Sequence, residues 1–196
     1  MIMKKISILT TIAVLFVLTI SLSGCGLAFL EGIGEAFVIN DYEIEDGTRV
    51  VKYIGNDTKV KIPAGGAGVT ITSLGDSAFK DNDKIVSVDM NQITHIGDYA
   101  FSGCTSLTSV SFCSITSYIG DEAFCKCSSL AELELPKSVT LGRAVFKECT
   151  SLTEIIFDGT MEKWGDKNHD KDWNKGSSIS KVICSDGEID LQEWYD

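Results

Sequence analysis

The sequence predicts an α/β repeat solenoid of about six rungs, built of short strands and short helical turns and capped at both ends. Three observations lead there. A six-residue phrase occurs four times, as Leu74-Gly75-Asp76-Ser77-Ala78-Phe79, at Ile96–Phe101, at Ile119–Phe124, and more loosely as Leu141-Gly142-Arg143-Ala144-Val145-Phe146. The four phenylalanines are spaced by 22, 23 and 22 residues. Apolar residues recur in fixed register after each of them. A constant period in the twenties marks a coil whose turns each bury an apolar edge on the next.

The front of the chain reads as an export segment. Lys4 and Lys5 precede an apolar run from Ile6 to Ile20, followed by Leu22-Ser23-Gly24-Cys25. A charged front, an apolar core and small residues at the end describe a secretory signal over 1–24. The final four residues resemble the bacterial lipoprotein box. That resemblance implies a diacylglycerol on the Cys25 thiol, cleavage before it, and membrane attachment through lipid. An ordinary cleaved signal or a short membrane helix are the other readings, although the run is shorter than the ~20 residues of a comfortable span.

Residues 25–36, with Gly26, Gly32 and Gly34, read as a tether, and 37–196 as one repeat domain. Its first part, 37–70, is expected to hold an N-terminal cap and a degenerate first rung. Asp46-Gly47 between two extended runs signals a hairpin that covers the open edge of the stack. Val60 and Ile62 look like a first strand pair, and Ala64-Gly65-Gly66-Ala67-Gly68 like a flexible bend.

Residues 71–159 carry the four regular repeats. Six residues after each repeat Phe stand Ile85, Leu107, Leu130 and Leu152. Three further on come Val88, Val110, Leu133 and Ile155, and two beyond those Met90, Phe112, Leu135 and Phe157. The last two columns show the alternation of a half-buried strand. A bend rich in Ser, Thr and Asn follows, then a second extended stretch ending at the repeat Gly. Asp76, Asp98 and Asp121 are expected to cap the helical turn that follows each of them. The Gly before each is expected to take a backbone angle closed to other residues. Residues 160–196, with Val182 and Cys184 as a last strand pair and with Trp164, Trp173 and Trp194, read as a C-terminal cap. With strands ~4.8 Å apart, the stack is roughly 25–30 Å long.

The formal charge is −11, and loss of 1–24 removes two lysines and no acids, leaving −13. Such a domain repels nucleic acid and anionic headgroups, so no nucleic-acid partner is expected. Cys104, Cys127 and Cys149 each lie three residues after a repeat Phe and read as a reduced, buried ladder, with Asn82 in that place in the first copy. Catalysis is not expected. The chain has only His95, read as an exposed bend residue, and His169, and carries no nucleophile elbow, zinc-binding helix or phosphate loop. No cofactor and no metal site are expected. Asp166 to Asp172 alternates oxygen-bearing residues as a calcium loop does. Lys171 stands where that loop needs Gly, and Ser177 where it needs Glu, so the segment reads as a solvated charged loop.

Strand residues that alternate with the buried columns must point outwards. One outward column is Lys59, Ser87, Ser109, Glu132, Glu154, Lys181, and the next is Lys61, Asp89, Ser111, Glu134, Ile156, Ile183. Together they form the candidate ligand face, whose centre is Ser87, Asp89, Ser109, Ser111, Glu132, Glu134, Glu154 and Ile156. A merely solvated sheet face is the plainer alternative.

The motif Ile-Gly-Asp-x-Ala-Phe-x-x-Cys-x-x-Leu, at Ile96–Leu107 and Ile119–Leu130, resembles the BspA-type leucine-rich repeat family. The likeness extends over about 40–190 and includes the terminal stretch from Trp164 to Gly187. It implies a right-handed leucine-rich repeat stack and a bacterial or protozoan surface protein, in a family some of whose members are linked to adhesion. Taken with the lipoprotein box, the expectation is a lipid-anchored, outward-facing protein of the bacterial cell envelope, a monomer that binds a protein or cell-surface ligand without catalysis. The alternatives are a structural envelope protein with no diffusible ligand, or a calcium-stabilised accessory module of an exported enzyme system.

Overall fold

Residues with apolar side chains two apart, repeated every 22 or 23 positions, can bury one sheet face only if copies stack strand against strand. The computed structural model describes residues 37–39, 41–66, 69–165 and 172–194. The export segment, the tether with Cys25, and 166–171 of the acidic loop with His169 lie outside them.

Two seven-stranded sheets form the opposite walls of the coil. The first wall contains β1 (Phe37–Ile39), β2 (Tyr42–Glu45) and β3 (Arg49–Tyr53). The second begins with β4 (Lys59–Lys61), and Gly65–Gly66 and Val69–Thr70 pair as β5 and β6. The regular repeats then alternate walls. β7 (Ser73–Leu74), β9 (His95–Ile96), β11 (Tyr118–Ile119) and β13 (Thr140–Leu141) belong to the first. β8 (Ser87–Asp89), β10 (Ser109–Ser111), β12 (Glu132–Pro136) and β14 (Glu154–Asp158) belong to the second. The chain ends with a short helix α1 (Met161–Gly165), then β15 (Lys181–Cys184), β16 (Gly187–Asp190) and α2 (Leu191–Trp194).

The first wall runs β1-β2-β3-β7-β9-β11-β13, the second β16-β15-β14-β12-β10-β8-β4. Within the second, β4, β8, β10, β12, β14 and β15 are joined in parallel, so six strands bound about five turns of the coil. Antiparallel strands flank the ladder at each end: β1–β2–β3 on the first wall, and β15–β16 on the second. Asp46 and Gly47 make the β2–β3 turn with φ of 52° and 68°. In the glycine-rich stretch at 64–68, Gly65 pairs with Thr70 and Gly66 with Val69, and 67–68 lie outside the described residues.

The expected helical turn after each repeat Gly is also corrected, since the structure has reverse turns there. In the first copy Ala78, Lys80 and Asn82 donate to Gly75, Ser77 and Phe79, three residues back. The alternate amides of Ser77, Phe79 and Asp81 donate instead to Asp98, Ala100 and Ser102 of the next copy. A helix needs every amide for its own ladder, so sharing them with a neighbour leaves only turns. The price is a left-handed backbone at non-glycine residues, with φ of 60° at Ser77, 58° at Tyr99, 51° at Glu122 and 53° at Ala144.

The repeat aspartates do not cap their own turns. Asp76 Oδ1 accepts the amide of Asp98 at 3.1 Å, Asp98 Oδ1 that of Asp121 at 2.8 Å, and Asp121 Oδ1 that of Arg143 at 2.8 Å. The glycines before them have ordinary backbone angles, and their role is space. A β-carbon on Gly97, Gly120 or Gly142 would stand 2.5, 2.5 or 2.6 Å from the aspartate Oδ1 of the preceding copy. Gly and Asp are thus one device, split across two copies.

A single aromatic file runs through the core. Phe79, Phe101, Phe124 and Phe146 are buried and stack at 4.8, 5.2 and 5.9 Å between ring centres, tilted by at most 20°. Tyr53 extends the file at one end at 5.1 Å from Phe79, and Trp173 closes the other end edge-on to Phe146 at 6.1 Å. Each such contact adds ~0.5–1.5 kcal/mol beyond area burial. Beside the file, the thiols of Cys104, Cys127 and Cys149 donate to the carbonyls of Phe79, Phe101 and Phe124 at 3.1–3.2 Å. All three are free thiols. Burial pushes Cys104 and Cys149 up to about 12, and Cys127 higher still.

Candidate functional site

The outward face of the second wall follows from strand alternation. Val88, Val110, Leu133 and Ile155 are buried, so the residues flanking each of them face away from the core. The parallel register turns them into files. Lys59 lies beside Ser87, Ser87 beside Ser109 and Ser109 beside Glu132, with Glu154 beside Lys181 further along. In the second file Lys61 meets Asp89, Asp89 meets Ser111, Glu134 meets Ile156, and Ile156 meets Ile183. β10 pairs with β12 through Ser109 and Val110 alone, so Ser111 and Glu134 continue their file beyond the end of that pairing.

The predicted site residues differ in what they offer. Glu132, Glu134, Glu154 and Ser111 are exposed, whereas Ser87, Asp89 and Ser109 are half-buried. Asp89 is not a free carboxylate. Its Oδ1 accepts the Asn91 amide at 2.9 Å, and its Oδ2 lies 3.4 Å from Lys61 Nζ. Lys181 is held by Glu188 at 3.0 Å, and this bond raises its pKa. Among the described residues Glu132, Glu134 and Glu154 have no ion-pair partner, and Ile156 between them is 46 % exposed. The face is therefore balanced at both ends and unbalanced, acidic and partly apolar towards the last repeats. The alternation runs one step further than the two predicted files, and exposed Asp158, opposite Pro136, adds another acid there.

The first wall has an outward file of its own that the sequence reading did not single out. Ser73, His95, Tyr118 and Thr140 pair in parallel. His95 is exposed, yet it lies on β9 and not in a bend, with its ring 6.4 Å from that of Tyr118. The Asp76, Asp98 and Asp121 carboxylates run alongside. Burial first, and then the charges of Asp98, Asp121 and Asp76, raise the pKa of the Tyr118 phenol. Among the described residues no three His, Cys, Asp or Glu side chains are grouped to hold a metal ion.

Comparison with known proteins matches this chain to a family. A family model described as BspA type leucine rich repeat region matches residues 53–172 in six copies. No curated protein matches the chain. Among solved structures, the leucine-rich repeat protein TpLRR of T. pallidum is 24 % identical over 76 % of this chain and 67 % of its own, with a TM-score of 0.63. A leucine-rich repeat protein from Bacteroides capillosus is 27 % identical over 63 % of this chain and 99 % of its own, with a TM-score of 0.58. The pneumococcal vaccine antigen PcpA shares the fold at 19 % identity and a TM-score of 0.61, and the chain spans 36 % of its length.

Proposed function

Since the chain belongs to the BspA-type leucine-rich repeat family, we propose that it is a non-catalytic binding module, held on the outside of a bacterial cell envelope by lipid on Cys25. It acts as a monomer and takes a protein or other cell-surface ligand on the outward face of the second wall. The antiparallel strands at the two ends serve as caps. The observation that carries the binding role is the parallel register of the second wall. That register sets side chains from distant parts of the chain side by side, as in the extended faces by which repeat proteins recognise partners. Glu132, Glu134 and Glu154, without an ion-pair partner among the described residues, surround exposed Ile156 and support the late repeats as its centre.

The test displays the full chain on cells and measures attachment to an array of matrix proteins and microbial surface components. Replacing Glu132, Glu134 and Glu154 together by Lys is expected to lower attachment at least tenfold. Unchanged attachment would clear this face of the role. Anchoring is read separately: Cys25→Ser is expected to abolish labelling by radioactive fatty acid and to move the chain from the membrane to the soluble fraction.

A further inference from the structure

The aspartate file on the first wall is charge-balanced at its ends and not in its middle. Asp76 lies 3.6 Å from Arg49 Nη2, and Asp121 Oδ2 lies 3.6 Å from Arg143 Nη2. Asp98 stands between them. Its Oδ1 is occupied by the Asp121 amide, and its Oδ2 has no cation among the described residues. The chain thus meets two of three equivalent carboxylates with a guanidinium of its own and leaves the third open.

What surrounds that third carboxylate suits the same group. The tilted His95–Tyr118 ring pair lies on the adjacent file, and Tyr118 is 36 % exposed. Burial is the larger cause of the raised Tyr118 phenol pKa, and the charges of Asp98, Asp121 and Asp76 add to it in that order. A planar guanidinium both pairs with carboxylates and stacks on aromatic faces, whereas an ammonium is a compact, strongly hydrated charge.

We propose that the outward face of the first wall, centred on Asp98 and Tyr118, is a second interaction surface that receives an arginine side chain from an extended segment of a partner protein. It stands apart from the acidic face of the second wall and does not depend on that reading.

The probe is N-acetyl-arginine amide, with its citrulline and lysine counterparts, observed by saturation-transfer NMR on the full chain in detergent. Exposed ion pairs and cation contacts are individually weak, so millimolar binding is expected, with arginine giving roughly threefold to tenfold more transfer than citrulline. Asp98→Asn keeps an oxygen for the Asp121 amide and removes the charge. Tyr118→Leu removes the ring. Each is expected to reduce arginine transfer to the citrulline level without lowering the melting temperature by more than a few degrees. Glu132→Lys with Glu154→Lys is expected to leave it unchanged. Arginine transfer that persists in Asp98→Asn, that lysine equals, or that disappears with the Glu132 and Glu154 changes instead would overturn the proposal.

Discussion

Asp98 lies across Gly120: its Oδ1 takes the amide of Asp121 at 2.8 Å and stands 2.5 Å from where a Gly120 β-carbon would sit. The hydrogen bond and the missing side chain belong to one contact between successive copies. Gly120→Ala is therefore expected to cost roughly 1–3 kcal/mol, as overpacking does. Asp98→Ala loses the bond and removes the carboxylate, but the backbone of Asp98 and Gly97 still stands 2.8 Å from that β-carbon, so Gly120→Ala remains destabilising in the Asp98→Ala background. A double-mutant cycle followed by urea unfolding should find the pair less damaging than the sum of the single changes. Additivity within ~0.5 kcal/mol would show that the two residues do not share this contact.

The left-handed positions give a second prediction. Lys126 has φ of 63°, and its counterpart one copy earlier is Gly103, at 79°. Lys126→Gly should be neutral or stabilising by up to ~1 kcal/mol, and Lys126→Val should cost ~1–2 kcal/mol, because branching at the β-carbon is least tolerated there. Equal melting temperatures for the two variants would contradict this.

The thiol ladder makes the fold sensitive to alkali. Unfolded thiols release their protons near the ordinary value of 9.0, while Cys104 and Cys149 in the fold hold theirs to about 12. Cys127, shifted by burial in the same direction, adds to the effect. Between those values the folded chain binds more protons than the unfolded one, so stability falls as pH rises. The slope approaches ~1.4 kcal/mol per pH unit for each such thiol. Urea midpoints from pH 8 to pH 11 should decline, and a Cys104→Ala, Cys149→Ala variant should show a shallower decline. A variant as steep as the parent would assign the effect to other groups.

Not all acids on the candidate ligand face are dispensable to the fold. Asp89→Lys removes the acceptor for the Asn91 amide and the partner of Lys61, and should cost ~1–2 kcal/mol. Glu132→Lys, exposed and without a partner among the described residues, should stay within ~0.5 kcal/mol of the parent. Calorimetric melting of the two single variants separates the cases, and a similar loss in both would refute the distinction.

The spine and the strand register were legible because burial is written at fixed intervals: Phe79, Phe101, Phe124 and Phe146 repeat, and so do the apolar pairs that follow them. The turns were not. Asp followed two residues later by Ala-Phe has the local look of a capped helix, and nothing within six residues reveals that the amides of Ser77 and Phe79 belong to the next copy. The partner of Asp98 is Asp121, 23 residues away, and what requires Gly120 is that same carboxylate together with the backbone of Gly97 and Asp98. On the second wall, alternation located the outward residues correctly. It could not tell Asp89, bound on both oxygens, from Glu132. The Asp98–Tyr118 surface escaped notice for a related reason, since its members occupy different positions within their copies and meet only through stacking.

Because Asp76, Asp98 and Asp121 each accept an amide of the following copy, and Gly97, Gly120 and Gly142 each make room for the carboxylate of the preceding one, these coils carry a plug on one side and a socket on the other. A duplicated segment of gene, inserted in phase, would arrive with matching fittings, so reach along the axis can lengthen without redesign of the joints. Arg143 breaks the series: its amide takes the Asp121 carboxylate, but it has no carboxylate of its own to offer onward.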